Sequence, residues 1–218
     1  MGKEKLGKEK KALIEKLIKE GVLKNELIIE AFKAIPREEF LLKAFVSKAY
    51  ADVALPIHAQ QTISQPTTIA IMLEALELEP GLKVLEVGTG SGYNAALLSR
   101  IVGPKGKVYT IEIVPELVEF AKKNLAKLKI RNVEVVLGDG SKGYPKEAPY
   151  DRIICAAAAL KMPSAFVEQL KEGGIVIAPI GTRSLQHLIK GRKINGKLVT
   201  EELGEFVFVP LKLEENKN

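Results

Sequence analysis

Alternating strands and helices from residue 83 to 179, a glycine-dense strand-to-helix turn at 86–92, and a hairpin signal at Asn195-Gly196 predict an α/β fold. The expected architecture is a mostly parallel twisted sheet with helices on both faces. An antiparallel strand edge is expected at the C-terminal end and a helical extension at the N-terminal end. With 218 residues, the chain can bury a proper core. We expect one compact domain, in which residues 1–82 form the extension plus a long loop and residues 83–218 form the alternating core.

The elements follow in order. Leu13, Ile14, Leu17 and Ile18 make an apolar helical stripe that ends at Gly21. Asn25 is placed to cap a second helix carrying Leu27, Ile28, Ala31, Phe32 and Ile35, which Pro36 stops. Residues 51–66 lose periodicity, and a loop of that length inside a compact domain is usually functional. A helix follows over 67–78, stopped by Pro80-Gly81. Strands are expected at 84–87, 108–112, 133–137, 153–156 and 175–179, with helices near 93–102, 115–129 and 163–171 between them. After Gly181 the pattern gives strands at 186–190, 198–202 and 205–209.

Composition narrows the function classes. Lys and Arg number 33 against 27 Asp and Glu, a net charge of +6, and the lysines are interleaved with glutamates rather than packed together. Apart from the first eleven residues nothing resembles a nucleic-acid arm, so no stable nucleic-acid partner is expected. That start is too charged for a signal peptide, and no apolar run approaches a membrane span. A single cysteine excludes an internal disulfide and fits a reducing cytoplasm. Heavy Lys and Glu usage without Trp points to a thermophilic source. His58 and His187 are the only histidines and stand far apart, so no metal is expected; Cys155, at a strand end, reads as a packed small residue.

In a parallel sheet the ligand lies beyond the carboxyl ends of the strands. The first such end reads Glu86-Val87-Gly88-Thr89-Gly90-Ser91-Gly92 and opens a helix at Tyr93. A dinucleotide fingerprint beginning at Gly88 needs glycine at 93, where Tyr93 stands. The G-x-G-x-G run with Glu86 ahead of it is instead the arrangement of methyltransferases that use S-adenosyl-L-methionine. A carboxylate near the turn suits that ligand's cationic ammonium and sulfonium. The bland alternative is a tight turn without a ligand, although three glycines in five residues weaken an element that needs only one. Glu112 ends the second strand, where an acid can accept both hydrogen bonds of a ribose diol or simply be solvated. Asp139, between Gly138 and Gly140, either accepts from an adenine amino group or makes a plain Asp-Gly turn. Ala156 to Ala159 leave room at a fourth strand tip.

Gln61-Thr62-Ile63-Ser64, Val84 through Tyr93, Gly138-Asp139-Gly140, Ala148-Pro149-Tyr150-Asp151, Gln169 through Gly174 and Phe208-Val209-Pro210-Leu211 occur in that order. Together they resemble the protein L-isoaspartate O-methyltransferase family over almost the whole chain. The resemblance implies a Rossmann-like methyltransferase fold, S-adenosyl-L-methionine as donor and S-adenosyl-L-homocysteine as product, with no metal. It implies isoaspartyl-containing proteins and peptides as partners of a monomer, the α-carboxylate becoming a methyl ester that decays through a succinimide. It makes Ser64 the active-site hydroxyl, with Thr62 and Ile63 as the wall over the transferred methyl. It carries cofactor contacts onto Ile63, Thr67, Glu86, Gly88, Thr89, Gly90, Gly92, Glu112, Ile113, Asp139 and Gly140, and substrate contacts onto Gln61, Ala157 and Gln186.

The chemistry agrees with that pattern. A carboxylate nucleophile is already ionised near pH 7, so no strong general base is required. Displacement at a sulfonium methyl destroys charge, so a dry pocket that aligns the pair favours it. A serine hydroxyl can aim a carboxylate without neutralising it, and the same Ser64 could instead be the N-cap of the 67–78 helix. Two positions depart from the family. Gln60 replaces the glycine that usually precedes Gln-Thr-Ile-Ser, so a positive φ there would be strained. Ala156 to Leu160 lack the usual hydroxyl option and nearby proline. Both leave open a different acceptor, such as RNA or a small carboxylate, or a homologue that binds cofactor without turnover.

Overall fold

The computed structural model describes residues 2–213, so the last five residues of the expected 83–218 core lie outside it. Helix α1 (Lys3–Lys19) buries Leu6, Leu13, Ile14 and Leu17, while Ile18, expected on the same stripe, is 42% exposed. Helix α2 (Glu26–Ala34) starts where Asn25 predicts, the Asn25 Oδ1 accepting from the Leu27 N–H at 2.9 Å. Its buried face is Ile28, Ile29, Ala31 and Phe32, with Leu27 turned outward.

The long loop contains order of its own. Two-residue strands β1 (Leu55–Pro56) and β2 (Thr62–Ile63) pair antiparallel, so residues 55–63 form a small hairpin. Helix α3 (Pro66–Ala75) is shorter than the expected 67–78. Glu77 takes φ +51, a left-handed conformation that ends the helix before Pro80 is reached. The Arg152 guanidinium donates to the freed Leu76 and Glu77 carbonyls at 2.5 and 2.8 Å.

The core comprises β3 (Lys83–Val87), α4 (Tyr93–Val102), β4 (Lys107–Glu112), α5 (Pro115–Lys127), β5 (Val133–Leu137), β6 (Tyr150–Cys155), α6 (Ser164–Gln169), β7 (Leu170–Gly181), β8 (Gln186–Ile194) and β9 (Lys197–Phe206). The strand order is β5-β4-β3-β6-β7-β8-β9, parallel from β5 to β7 and antiparallel at β8 and β9. Pleating sends Val84, Val108, Ile154 and Ile177 into one cluster with α1 to α5, and Leu85, Ile111, Ile153 and Val176 into another with Phe166 of α6. Helices thus cover both faces, as the alternation predicts.

Three expected boundaries move. The helix expected at 163–171 stops at Gln169, where the Lys193 ammonium donates to the Val167 and Leu170 carbonyls and the chain enters β7. Strand β8 continues to Ile194 because Asn195 and Gly196 both take positive φ, as a two-residue hairpin turn requires. The strands expected at 198–202 and 205–209 form one strand, β9. The register between β8 and β9 shifts from His187↔Glu205 to Ile189↔Glu202, so one extra residue is absorbed as a bulge. Residues 207–211 then leave the sheet and bridge to the β6 tip, with Ala158 N–H donating to the Val209 carbonyl and Leu211 N–H to the Ala158 carbonyl, each at 2.8 Å.

Candidate active site

Strand order reverses between β3 and β6, and a cleft opens there at the carboxyl ends of β3, β4 and β6. Its floor is the turn from Gly88 to Ser91, its sides are Glu112 to Val114 and Ala156-Ala157, and the hairpin run Gln61 to Ser64 closes over it. Val209 to Lys212 complete the wall. The backbone dictates the glycines. Gly88 lies at φ +92, where any side chain is strained, and an added Cβ there would stand 3.6 Å from the Ala156 Cβ. Gly140 lines the cleft too, but its Cβ would stand 2.4 Å from Val87 Cγ1, so close packing on β3 alone demands glycine.

Two carboxylates serve the turn differently. Glu112 is 7% exposed; its Oε2 accepts from Gly90 N–H at 3.0 Å and its Oε1 from Val114 N–H at 3.1 Å. It is a positioned acceptor facing the cleft, not a solvated strand end. Glu86 is fully buried and does not line the cleft. Asn94 Nδ2 donates to its Oε1 at 2.8 Å and Thr110 Oγ1 to its Oε2 at 2.6 Å. Thr89 and Thr110 hydroxyls lie 2.7 Å apart, so a chain of hydrogen bonds joins the glycine turn to Glu86. Burial pushes the Glu86 carboxyl up to about 7, with the Glu112 charge adding to the rise and the Thr110 and Asn94 donors opposing it.

Ser64 lines the cleft but does not cap α3. The N-cap position is Gln65 and makes no side-chain bond. The capping acceptor is Asp52, which takes the Thr67 N–H at 3.0 Å and its hydroxyl at 2.6 Å. Burial raises the Asp52 carboxyl, but the Thr67 donors and Lys16 outweigh it and hold it below the usual range. Thr67 is therefore spent on the helix start and is absent from the cleft lining. Gln60 takes φ +57 and Ala59 φ +54, so the strain that a missing glycine implies is present twice over. His58 pins the hairpin tip to α5, through Glu116 at 3.0 Å and an edge contact with Phe120.

Of the expected site residues, Gln61, Thr62, Ile63, Ser64, Gly88, Thr89, Gly90, Glu112, Ile113, Gly140 and Ala157 share this cleft. Gly92 lies outside it, starting α4 at φ +84 with an added Cβ only 3.3 Å from Ala121. Asp139 is also outside, its Oδ1 accepting from Ser141 N–H and hydroxyl at 2.9 and 2.7 Å. Gln186 is fully buried in a neighbouring hollow, donating to the Thr182 carbonyl and accepting from Phe208 N–H at 2.6 Å. Sequence reasoning missed Asn94, Thr110 and Asp52. Thr110 stands beside Glu86 only through the β3–β4 register, which no local pattern announces. Behind Tyr93 of the cleft wall, the buried Arg37 guanidinium stacks at 5.2 Å from the ring centroid.

This geometry agrees with the chain's relatives. The profile described as protein-L-isoaspartate(D-aspartate) O-methyltransferase matches residues 8–216. The chain belongs to that family. A Methanococcus maripaludis protein-L-isoaspartate O-methyltransferase is 50% identical over 199 residues, covering 91% of this chain and 93% of its own. That of Pyrococcus horikoshii is 48% identical over 213 residues, covering 97% and 96%. A solved protein-L-isoaspartate O-methyltransferase superposes with a TM-score of 0.86 at 39% identity over 92% of this chain, which spans 65% of that longer one. A Plasmodium falciparum structure of the same kind, holding S-adenosyl-L-homocysteine, gives 0.83 at 27% identity over 93% and 97%. The chain is thus a methyltransferase whose cofactor is S-adenosyl-L-methionine. The cleft fits it: a glycine turn strained for any side chain lies beside a buried acceptor, Glu112. No cluster of metal-ligating side chains occurs among the described residues, and no described helix is long and apolar enough to cross a membrane.

Proposed function

We propose that this chain methylates the α-carboxylate of L-isoaspartyl residues in damaged proteins and peptides, giving a methyl ester that decays through a succinimide. The observation that carries the reading is that Gln61 to Ser64 close over the same cleft that Gly88, Gly90 and Glu112 line. When bound, S-adenosyl-L-methionine supplies an electrophilic methyl on a sulfonium. Glu112 accepts the ribose hydroxyls, while Gly88, Thr89, Gly90, Ile113 and Gly140 hold the ligand by backbone and shape. Glu86, Gly92, Thr67 and Asp139 act one layer back, fixing the turn, the α4 start, the α3 start and the 139–141 turn. Ser64 donates its hydroxyl to the acceptor carboxylate and aims it, and Thr62 with Ile63 keeps water out. Gln61 and Ala157 touch the acceptor, and Gln186 shapes the surface beside it.

The same reading makes the protein a cytoplasmic monomer without a nucleic-acid partner, supported by one buried cysteine and interleaved charges. The composition and a Pyrococcus relative support a thermophilic source. Incubating an isoaspartyl peptide with enzyme and cofactor, then separating products by chromatography, tests the reading. Progressive conversion to the normal aspartyl peptide through methyl ester and succinimide is expected; an unchanged isoaspartyl peptide contradicts it.

A further inference from the structure

Beside the catalytic cleft lies a second, largely apolar hollow lined by Ala159, Leu160, Pro163, Phe208 and Leu213. Pro210 and Leu211 line both, so the two hollows adjoin at that chain segment. That segment is fixed to the β6 tip by the paired Ala158 bonds, and Gln186 ties the hollow's floor to Phe208. Leu160 and Leu213 stand 82% and 62% exposed at its margin and give it an apolar rim. An acceptor whose carboxylate reaches Ser64 carries flanking residues that need a surface beside the cleft, and this hollow adjoins the cleft at Pro210 and Leu211.

Among the described residues that line it, the charged side chains are all cationic. Lys161 and Arg183 line the hollow and Lys212 the adjoining cleft, and none has a hydrogen bond or ion pair among the described residues. Among the described residues that line either hollow, the one carboxylate is Glu112, already engaged by two backbone N–H groups. We infer that this hollow receives the residues flanking the isoaspartate, and that Lys161, Arg183 and Lys212 select acceptors carrying acidic flanking residues. The inference rests on the proposed isoaspartyl acceptor. Carboxylates meeting unpaired cations over an apolar floor gain attraction that lysine-bearing acceptors lose, and salt screens the difference.

The test uses isoaspartyl peptides of one length that carry Glu, Gln or Lys at the positions next to the isoaspartate. The expected kcat/KM order is Glu above Gln above Lys, with each step about threefold to tenfold at low salt and nearly lost at about 0.5 M salt. The Lys161→Gln, Arg183→Gln double variant should lose most of the Glu-over-Gln difference. Equal kcat/KM on the three peptides, or a preference undiminished in the double variant, overturns the inference while leaving the isoaspartyl acceptor intact. Methylation of none of them, with cofactor binding intact by calorimetry, overturns the acceptor reading and this inference with it.

Discussion

Ser64 stands one residue before the N-cap of α3 and leaves capping to Asp52, so its hydroxyl is available to a ligand. Ser64→Ala should lower kcat by about 10–100-fold through lost orientation while cofactor affinity stays near wild type. Equal losses in turnover and in calorimetric affinity would make Ser64 a support of the fold. Glu112→Gln should do the reverse, weakening cofactor binding by about 1.5–3 kcal/mol because a charged acceptor is lost. Glu86 makes a pH prediction. Its carboxyl sits near 7 when folded and in the ordinary carboxylate range when unfolded, so the folded state holds the proton more tightly. Its contribution is fully favourable below the ordinary range and is lost as pH rises toward 7. Denaturant titrations at pH 5 and pH 8 should differ by about 2.5 kcal/mol from this group, the protein being more stable at pH 5, and Glu86→Gln should remove most of that difference. A variant whose stability keeps the wild-type pH dependence would contradict the assignment.

At the scale of elements, what the sequence made legible tracks how local the determining physics is. The Asn25 cap, the Asn195-Gly196 turn and the α4 start after Gly92 depend on neighbours in sequence and stand where the pattern puts them. The carbonyls freed where α3 ends at Ala75 and α6 at Gln169 are taken up by Arg152 and Lys193, which arrive from distant strands. The continuity of β9 depends on a bulge against β8. The hairpin over the cleft combines both kinds. Its missing glycine was visible at Gln60, whereas the anchor from His58 to α5 was not. Gln60→Gly should relieve left-handed strain by about 0.5–1 kcal/mol and raise Tm by a few degrees. A lower Tm would mean that glutamine contacts outweigh the strain.

On the scale of the whole molecule, the residues that share the cleft come from the 55–66 loop, α3, three strand ends, the segments after β3, β4, β5 and β6, the first turns of α4 and α5, and the 207–213 segment. Only the folded sheet order β5-β4-β3-β6-β7-β8-β9 unites them, which is why motifs could name the parts while their assembly stayed hidden. The buried cluster containing α1 to α3 also contains residues of β3, β4, β6 and β7, so the extension shares the core of the sheet. Ligand binding across so many elements should stabilise the fold as one unit. S-adenosyl-L-homocysteine at about 100 times its Kd should add about 2.7 kcal/mol and raise Tm by roughly 5–10 °C. An unshifted Tm in thermal scans would contradict the cofactor cleft. The central claim, however, is the acceptor. Labelled methyl transfer from S-adenosyl-L-methionine to two synthetic peptides identical except for Asp or isoAsp at one position tests it most directly. Label entering the isoAsp peptide alone is the predicted result. Label in neither peptide, or equally in both, would contradict an isoaspartyl carboxylate as the group that Ser64 aims.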